Sequence, residues 1–364
     1  DSPFTNHDSR NSVMPTCRNA LRRAGTDTLL IMELKVFECP GQEWDEFASR
    51  YTDLIFYQSL WSEVLKKGLG GQPLYFYLKE GGEIVAGLPG VLLNFKIIKI
   101  LYASIPYGHF IGEGVYYQPF LELLEEEFKR RGIGQARLTE SPFSESCSLE
   151  TFIPMAAKCT LLDFNRFAEG KVREGYRSEV RRAVRKAEKS GVFVKRADSR
   201  EEVETFYRLY LSSMERNRAI AKYPLQWFYG LYEILVQQRR ADFLFALKGL
   251  DKYVAGVFLV YSPTSVHYLH NGSDEAYLES RPNDLVVDHI IQEGMREGKA
   301  VLDFMGSDPD DLSLIRFKEK WGSQSRDIFT YVKDYHPLRC KILELGKRWA
   351  SSRVGSRLVK MIRK

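Results

Sequence analysis

The sequence predicts an α/β protein made of two similar units in tandem, and three observations predict it. The order helices, antiparallel strand pair, long helix, strand occurs twice along the chain. Each copy contains apolar strand runs joined at a glycine-marked turn, at Gly81-Gly82 in the first and near Gly249–Lys252 in the second. A strongly basic helical stretch separates the copies. The likeness between the copies lies in their architecture and not in residue identity.

Residues 1–31 have no apolar period and many turn-forming residues, so they are expected to be a disordered or non-native leader. The first unit is expected over 32–165. "LKVFE" alternates like a strand, and "EWDEFASRY" and "LWSEVLKKGLG" have helical spacing, the latter ending on glycines that suit a C-cap. The hairpin around Gly81-Gly82 follows, then the amphipathic helix "YYQPFLELLEEEFKRRGI" and the strand "GQARLTE". The second unit, over 195–335, repeats this. "EEVETFYRLYLSSMERNR" and "PLQWFYGLYEILVQQ" are helical, and "ADFLFALKGLDKYVAGVFLVYS" is a hairpin. "SVHYLHNGS" is a strand running into a loop, "NDLVVDHIIQEGMREGK" a helix and "AVLDFMG" a strand.

The connecting segment, 166–194, carries a helix with Val180, Val184 and Ala187 as its apolar stripe. Arg177, Arg181, Arg185 and Lys189 stand four apart on another side, where like charges repel by about 0.2–0.5 kcal/mol per pair. Such a stripe is either a solvated face or a grip on an anion such as phosphate, a nucleotide or a tRNA backbone.

Composition bounds the function. A formal charge of +5 on 364 residues does not by itself point to nucleic acid. The five cysteines are odd in number, far apart and without CxxC spacing, which disfavours a disulfide framework or zinc site and fits a reducing, cytoplasmic setting. No metal and no tightly bound organic cofactor is implied. No apolar run is long enough to cross a bilayer. The C-terminal stretch 336–364 is basic, with Leu343, Trp349, Val354, Leu358 and Ile362 among its cations. It fits either a solvated tail or an amphipathic helix that makes a peripheral contact with anionic lipid through 339–364, at the inner face of the cell membrane.

The most specific stretch is "RFKEKWG" at 316–322. On a helix, Leu314, Phe317 and Trp321 share a face and are expected to pack in the core, while Arg316 and Lys320 lie on a neighbouring flank and Gly322 suits a left-handed cap. Upstream, "LDFMGSDPDD" ends a strand, with Asp308 and Pro309 placed as N-cap and first helical residue.

Together, "RSEVRRAVRKAEKSGV", "HYLHNGSDEAYLESRPNDLVVDHIIQEGMREGKAVLDFMGSD" and "RFKEKWG" resemble the Fem-type (FemAB-like) branch of the Gcn5-related N-acetyltransferase (GNAT) superfamily, the peptidoglycan-bridge aminoacyltransferases and their bacterial relatives. The resemblance covers about residues 35–335. It implies two tandem GNAT-like domains, each a mixed, mostly antiparallel sheet flanked by helices. It implies transfer of an acyl or aminoacyl group from an activated donor, aminoacyl-tRNA or an acyl thioester, to an amine of a cell-envelope precursor such as peptidoglycan. Two features qualify it. The loop "YLESRPNDLVV" lacks the glycines with which acetyl-CoA enzymes of this fold bind pyrophosphate, and no inserted helical hairpin for tRNA occurs between Glu201 and Gln238. Two other readings stay open: an acyl-CoA or acyl-carrier-protein dependent N-acyltransferase acting on sugars or exopolysaccharide, and a non-catalytic nucleic-acid-binding module.

Amide formation from an activated donor needs chiefly orientation of a neutral amine. Asp303, at a strand end expected to face the cleft, is the candidate catalytic carboxylate. Tyr107, Asn271 and Ser273 lie on the matching loops "IPYGHFIGEG" and "LHNGSDEAY" and are candidates for acceptor binding. Arg177, Arg181, Arg316 and Lys318 are candidates for holding an anionic substrate, and the lone His109 and His270 are expected to be structural.

Overall fold

The computed structural model describes residues 17–22, 29–144, 147 and 149–351. The N-terminal unit begins with β1 (Cys17–Arg22) and β2 (Leu29–Phe37), which pair antiparallel, so regular structure starts inside the stretch expected to be a leader. The remainder of that stretch, 1–16 and 23–28, lies outside the described residues. Helices α1 (Gln42–Ser49) and α2 (Ser59–Leu69) follow, then β3 (Gln72–Pro73), β4 (Tyr75–Glu80), β5 (Glu83–Leu88), β6 (Val91–Phe95), β7 (Ile98–Tyr102), β8 (Ile111–Gly112), α3 (Tyr117–Arg130), β9 (Ile133–Thr139) and β10 (Ile153–Asp163). The second unit contains α4 (Ser178–Lys189), β11 (Val192–Arg196), α5 (Glu202–Arg216), α6 (Leu225–Ile234), β12 (Ala241–Lys248), β13 (Lys252–Tyr261), β14 (Ser265–Ser273), α7 (Pro282–Arg296), β15 (Val301–Ser307), α8 (Leu312–Glu319) and β16 (Gln324–Asp334). Helix α9 (Pro337–Ser351) closes the described chain.

The strands form a five-stranded sheet, β1-β2-β4-β5-β8, and an eleven-stranded sheet, β11-β12-β13-β14-β15-β10-β16-β9-β7-β6-β3. The large sheet is mixed and runs through both units, where the sequence suggests one sheet for each. The reason is a reciprocal exchange of last strands. β10 follows β9 in the chain but pairs with β15 of the second unit, and β16 follows β15 but pairs with β9 of the first. The exchanged strands also pair with each other, Lys158 opposite Asp327 as an ion pair at 2.9 Å and Thr160 bonded to Ser325 at 2.8 Å. Cross-strand pairs of this kind contribute about 0.2–1 kcal/mol each, and here they act across the join.

The basic helix α4 belongs to the second unit. Val180, Val184 and Ala187 are buried against α7 as the spacing predicts. The 201–238 stretch is α5 and α6 with a short 3-10 turn, packed on the second unit's strands. Asn271 and Gly272, expected from sequence on a loop, lie inside β14 opposite Val257 and Gly256. Glycine is needed there for close approach, because a Cβ at 272 would sit 2.4 Å from the backbone of Leu209 and Tyr210 in α5.

Candidate active site

The two units differ where their parallel strands part. In the first, β7 and β9 pair through Tyr102 and Arg137, and the loop 103–107 then returns so that Gly108 and Thr139 bridge. In the second, β14 and β15 pair only from Ser265 opposite Val301 to His267 opposite Asp303, and then diverge. Diverging strands leave facing peptide groups without ladder partners, which side chains or a ligand must satisfy.

At the point of divergence sits a buried polar cluster. The Tyr107 hydroxyl, sent across from the first unit, donates to Asp303 Oδ2 at 3.0 Å. The Met305 backbone N–H donates to Asp303 Oδ1 at 2.7 Å, and the Cys159 thiol lies 3.3 Å from the same oxygen. His267 Nδ1 is 3.0 Å from Asp303 Oδ2, and its Nε2 is 3.0 Å from both Ser262 and Ser265 hydroxyls. Asp303 and His267 are wholly buried, and the Phe56 ring closes edge-on against both His267 and Tyr107. Burial, then the Asp303 charge, pushes the Tyr107 phenol well up and also raises the Cys159 thiol, so both stay neutral donors.

Beyond Asp303 the strand bulges. The β10–β15 register shifts, and Met305 takes a left-handed φ of 64°. This conformation is costly for a side chain with a Cβ and is held by the surrounding contacts. The Met305 carbonyl receives the Lys318 ammonium at 2.9 Å, and Ser307 Oγ receives it at 2.7 Å. An ammonium has three hydrogens, so these bonds leave one to donate elsewhere. Burial lowers the Lys318 pKa to about 8, against the raising influence of Cys159, Asp303 and Asp311. The buried face of α8 is thus Ile315 and Lys318, with Trp321 just beyond its end. Leu314 is exposed and Phe317 only half-buried, which corrects the Leu314–Phe317–Trp321 face expected from sequence. Asp311 caps α8 by accepting from Leu314 N–H, and Asp308 instead accepts from Asp310 N–H in the preceding turn. Lys320 pairs with Asp284 and lies 4.4 Å from the centre of the Phe317 ring.

Of the candidate residues, Asp303, Tyr107 and Lys318 come together here. Asp303 is enclosed by donors rather than facing open solvent. Ser273 is buried on α5, its N–H donating to Ser213 and its carbonyl accepting from Arg216. Asn271 is exposed on β14. Arg181 is committed to its own chain, donating to the carbonyls of Tyr176 and Glu174. Arg177 and Arg316 are exposed, whereas Lys318 is buried. His109 and His270 are buried neutral, with pKa values lowered to about 4 and about 3 by burial, and His270 accepts from Trp227 Nε1 at 2.8 Å. His267 and Cys159 escape the sequence reading. β14 is buried on both faces from Ser265 to Tyr268, so His267 is enclosed on the face opposite Val266 and Tyr268, and apolar patterning gives it no distinguishing signal.

The start of α7 is unsuited to a pyrophosphate. Pro282 removes an N–H, and Asp284, 3% exposed, puts a carboxylate in the first turn, where Lys320 neutralises it. Two surface clefts lie apart from the buried cluster. One, of about 360 Å³, is flanked by Arg173, Asp288 and Glu293, and one, of about 430 Å³, by Lys66, Lys67 and Glu233. Among the described residues no group of three or more His, Cys, Asp or Glu side chains is placed to hold a metal, and no helix is long and apolar enough to cross a membrane.

Residues 174–319 match the family "Acetyltransferase (GNAT) domain". The solved structure of FemX shares the fold over 84% of this chain and 99% of its own, with a TM-score of 0.61 and 16% identity. A tandem GNAT protein from the clavulanic acid biosynthesis pathway matches over 83% of this chain and 98% of its own, TM-score 0.55, 10% identity. The C-terminal domain of a putative lysylphosphatidylglycerol synthetase from Agrobacterium fabrum matches over 85% and 99%, TM-score 0.54, 11% identity. No curated protein matches the chain in sequence. At these identities the likeness to solved structures shows the fold, and the match over residues 174–319 shows a GNAT acetyltransferase domain within the chain, which supports acyl transfer as its activity.

Proposed function

From a GNAT domain set in a tandem, FemX-like fold, we propose that this chain transfers an acyl or aminoacyl group to an amine of a cell-envelope precursor, from a donor other than CoA. The observation that carries the reading is Lys318, a buried ammonium with a hydrogen to spare, fixed at the parted strands β14 and β15.

In this reading the donor carbonyl lies at the parted strands with its oxygen toward Lys318. Negative charge develops on that oxygen as the amine attacks, and a preorganised ammonium in a low-dielectric site stabilises it. The amine attacks the carbonyl carbon, the donor's hydroxyl or thiol leaves, and the amine's proton departs with the leaving group. No dedicated base is needed on the protein. Asp303 acts as a positioning residue: it ties Tyr107, His267 and the Met305 N–H together, and so fixes the bulge whose carbonyl orients Lys318. Pro282 and Asp284 at the α7 start support a donor without a pyrophosphate held there. The exposed Arg177, Arg316 and Asn271 are offered as acceptor contacts.

The acyl-CoA reading is supported by the acetyltransferase domain match and by the fold shared with a tandem GNAT protein. A single screen separates the two. The purified chain is incubated with aminoacyl-tRNA, acyl-carrier-protein thioester or acyl-CoA against UDP- and lipid-linked muramoyl peptides and amino sugars, and products are weighed by mass spectrometry. Amide product from a non-CoA donor, with no calorimetric heat from acetyl-CoA, is expected. Product from acyl-CoA alone, with saturable CoA binding, overturns the donor assignment.

A further inference from the structure

Helix α9 presents two apolar faces, and only one is covered. Cys340 is 3% exposed and packs with Leu343 on Ile98 and Ile100 of β7. On the other side, Leu338 is 73% exposed, Ile342 51% and Leu345 64%. At about 100° per residue, positions 338, 342 and 345 fall within a narrow stripe, and Trp349 continues its spacing in the sequence. Three large aliphatic side chains exposed in a row are costly in water, whereas single ones are ordinary.

Charge says what covers this stripe. Residues 337–364 hold nine cations and one acid, against 44 cations and 47 acids in the rest of the chain, so the tail carries +8 and the remainder −3. Arg339 and Lys341 are exposed beside the stripe. The one acid, Glu344, turns toward the protein and lies 3.7 Å from Arg137. An apolar stripe flanked by cations, with its acid facing inward, matches the boundary between acyl chains and anionic headgroups.

We infer that α9 docks this protein on an anionic membrane surface, with Leu338, Ile342 and Leu345 entering the headgroup boundary. The protein is peripheral, held by a helix that packs on β7 of the large sheet and lies along the bilayer. This inference stands on the helix and its charge alone and is independent of the reaction proposed above. A second copy of the chain is the competing occupant of the stripe, but two such tails would bring like charges together.

The test is co-sedimentation of the full chain with vesicles of phosphatidylcholine alone or mixed with phosphatidylglycerol, alongside analytical ultracentrifugation without lipid. The chain is expected to partition at least about tenfold more strongly onto the anionic vesicles, and to be released as NaCl rises from about 0.1 M to about 0.5 M. Leu338→Ser/Ile342→Ser/Leu345→Ser is expected to lose at least about tenfold in partitioning with an unchanged melting temperature, since all three side chains are exposed. Failure to bind anionic vesicles overturns the proposal, as does equal binding by the triple variant. A dimer that the triple variant dissolves assigns the stripe to a second copy instead.

Discussion

The two units use one fold to opposite ends. In the N-terminal unit the parting of β7 and β9 is sealed within a few residues by the loop that rejoins at Gly108 and Thr139. In the C-terminal unit β14 and β15 do not rejoin, and the loop that seals the first unit sends Tyr107 into the gap of the second. The sealed unit therefore serves as part of the wall of the other. The pairing of β10 with β16 holds them in that relation, so the candidate site draws on both units while the chemistry proposed for it lies in one. A duplicated fold does not imply a duplicated site; where the parallel ladder stops decides which copy has groups left to use.

The largest expected effect breaks the comparison at its centre. Lys318→Met should lower turnover by about 10²–10³, the range for loss of one oxyanion donor. If Lys318 must be charged, activity falls as pH rises through about 8, and Lys318→Gln, still a donor but unable to titrate, loses that alkaline limb. The stability sign is the reverse. The folded chain gives up this proton near pH 8 and the unfolded chain only near 10.5, so the unfolded state binds more protons in between. Lys318 then contributes a rise in stability from pH 8 to 10.5 that urea melts of the methionine variant should lack.

A second, smaller effect probes the loan between units. Tyr107→Phe removes a donor from the buried Asp303 and should cost about 1–3 kcal/mol in chemical denaturation. Turnover should fall less than in Lys318→Met, because the tyrosine positions and does not touch the reacting atoms. A loss of turnover equal to that of the lysine variant, with full stability, would place Tyr107 on the substrate instead.

The smallest effects separate cations that read alike in sequence. Arg181→Ala should cost about 1 kcal/mol of stability, as it frees the carbonyls of Tyr176 and Glu174. Arg177→Ala and Arg316→Ala should leave stability within about 0.5 kcal/mol and act only on acceptor affinity, measured as KM.

Periodicity was enough to read the helices, both hairpins, the Val180–Val184–Ala187 stripe and the tandem order, because each is a local pattern with a local cause. The strand exchange was not legible. β10 and β16 would satisfy the same alternation in either sheet, and only the contact between units decides. The candidate site was half legible. Asp303 and Lys318 stand in a recognisable stretch, and Tyr107 in a loop rich in turn residues. Their meeting depends on contacts 196 residues apart, and His267 and Cys159 look like ordinary strand residues until that meeting occurs. The α8 face differs from the apolar count because a lysine, satisfied by Met305 and Ser307, takes a core position that the count gives to Phe317.

The central claim is that substrate engages the C-terminal unit where β14 and β15 part. Hydrogen-exchange mass spectrometry of the full chain, with and without the donor and acceptor pair that forms product, tests it most directly. Slowed exchange in 268–273 and 305–320, with 103–112 and the start of α3 unchanged, is the result expected. Protection confined to 103–112 and the α3 start would place the site in the N-terminal unit and contradict the account.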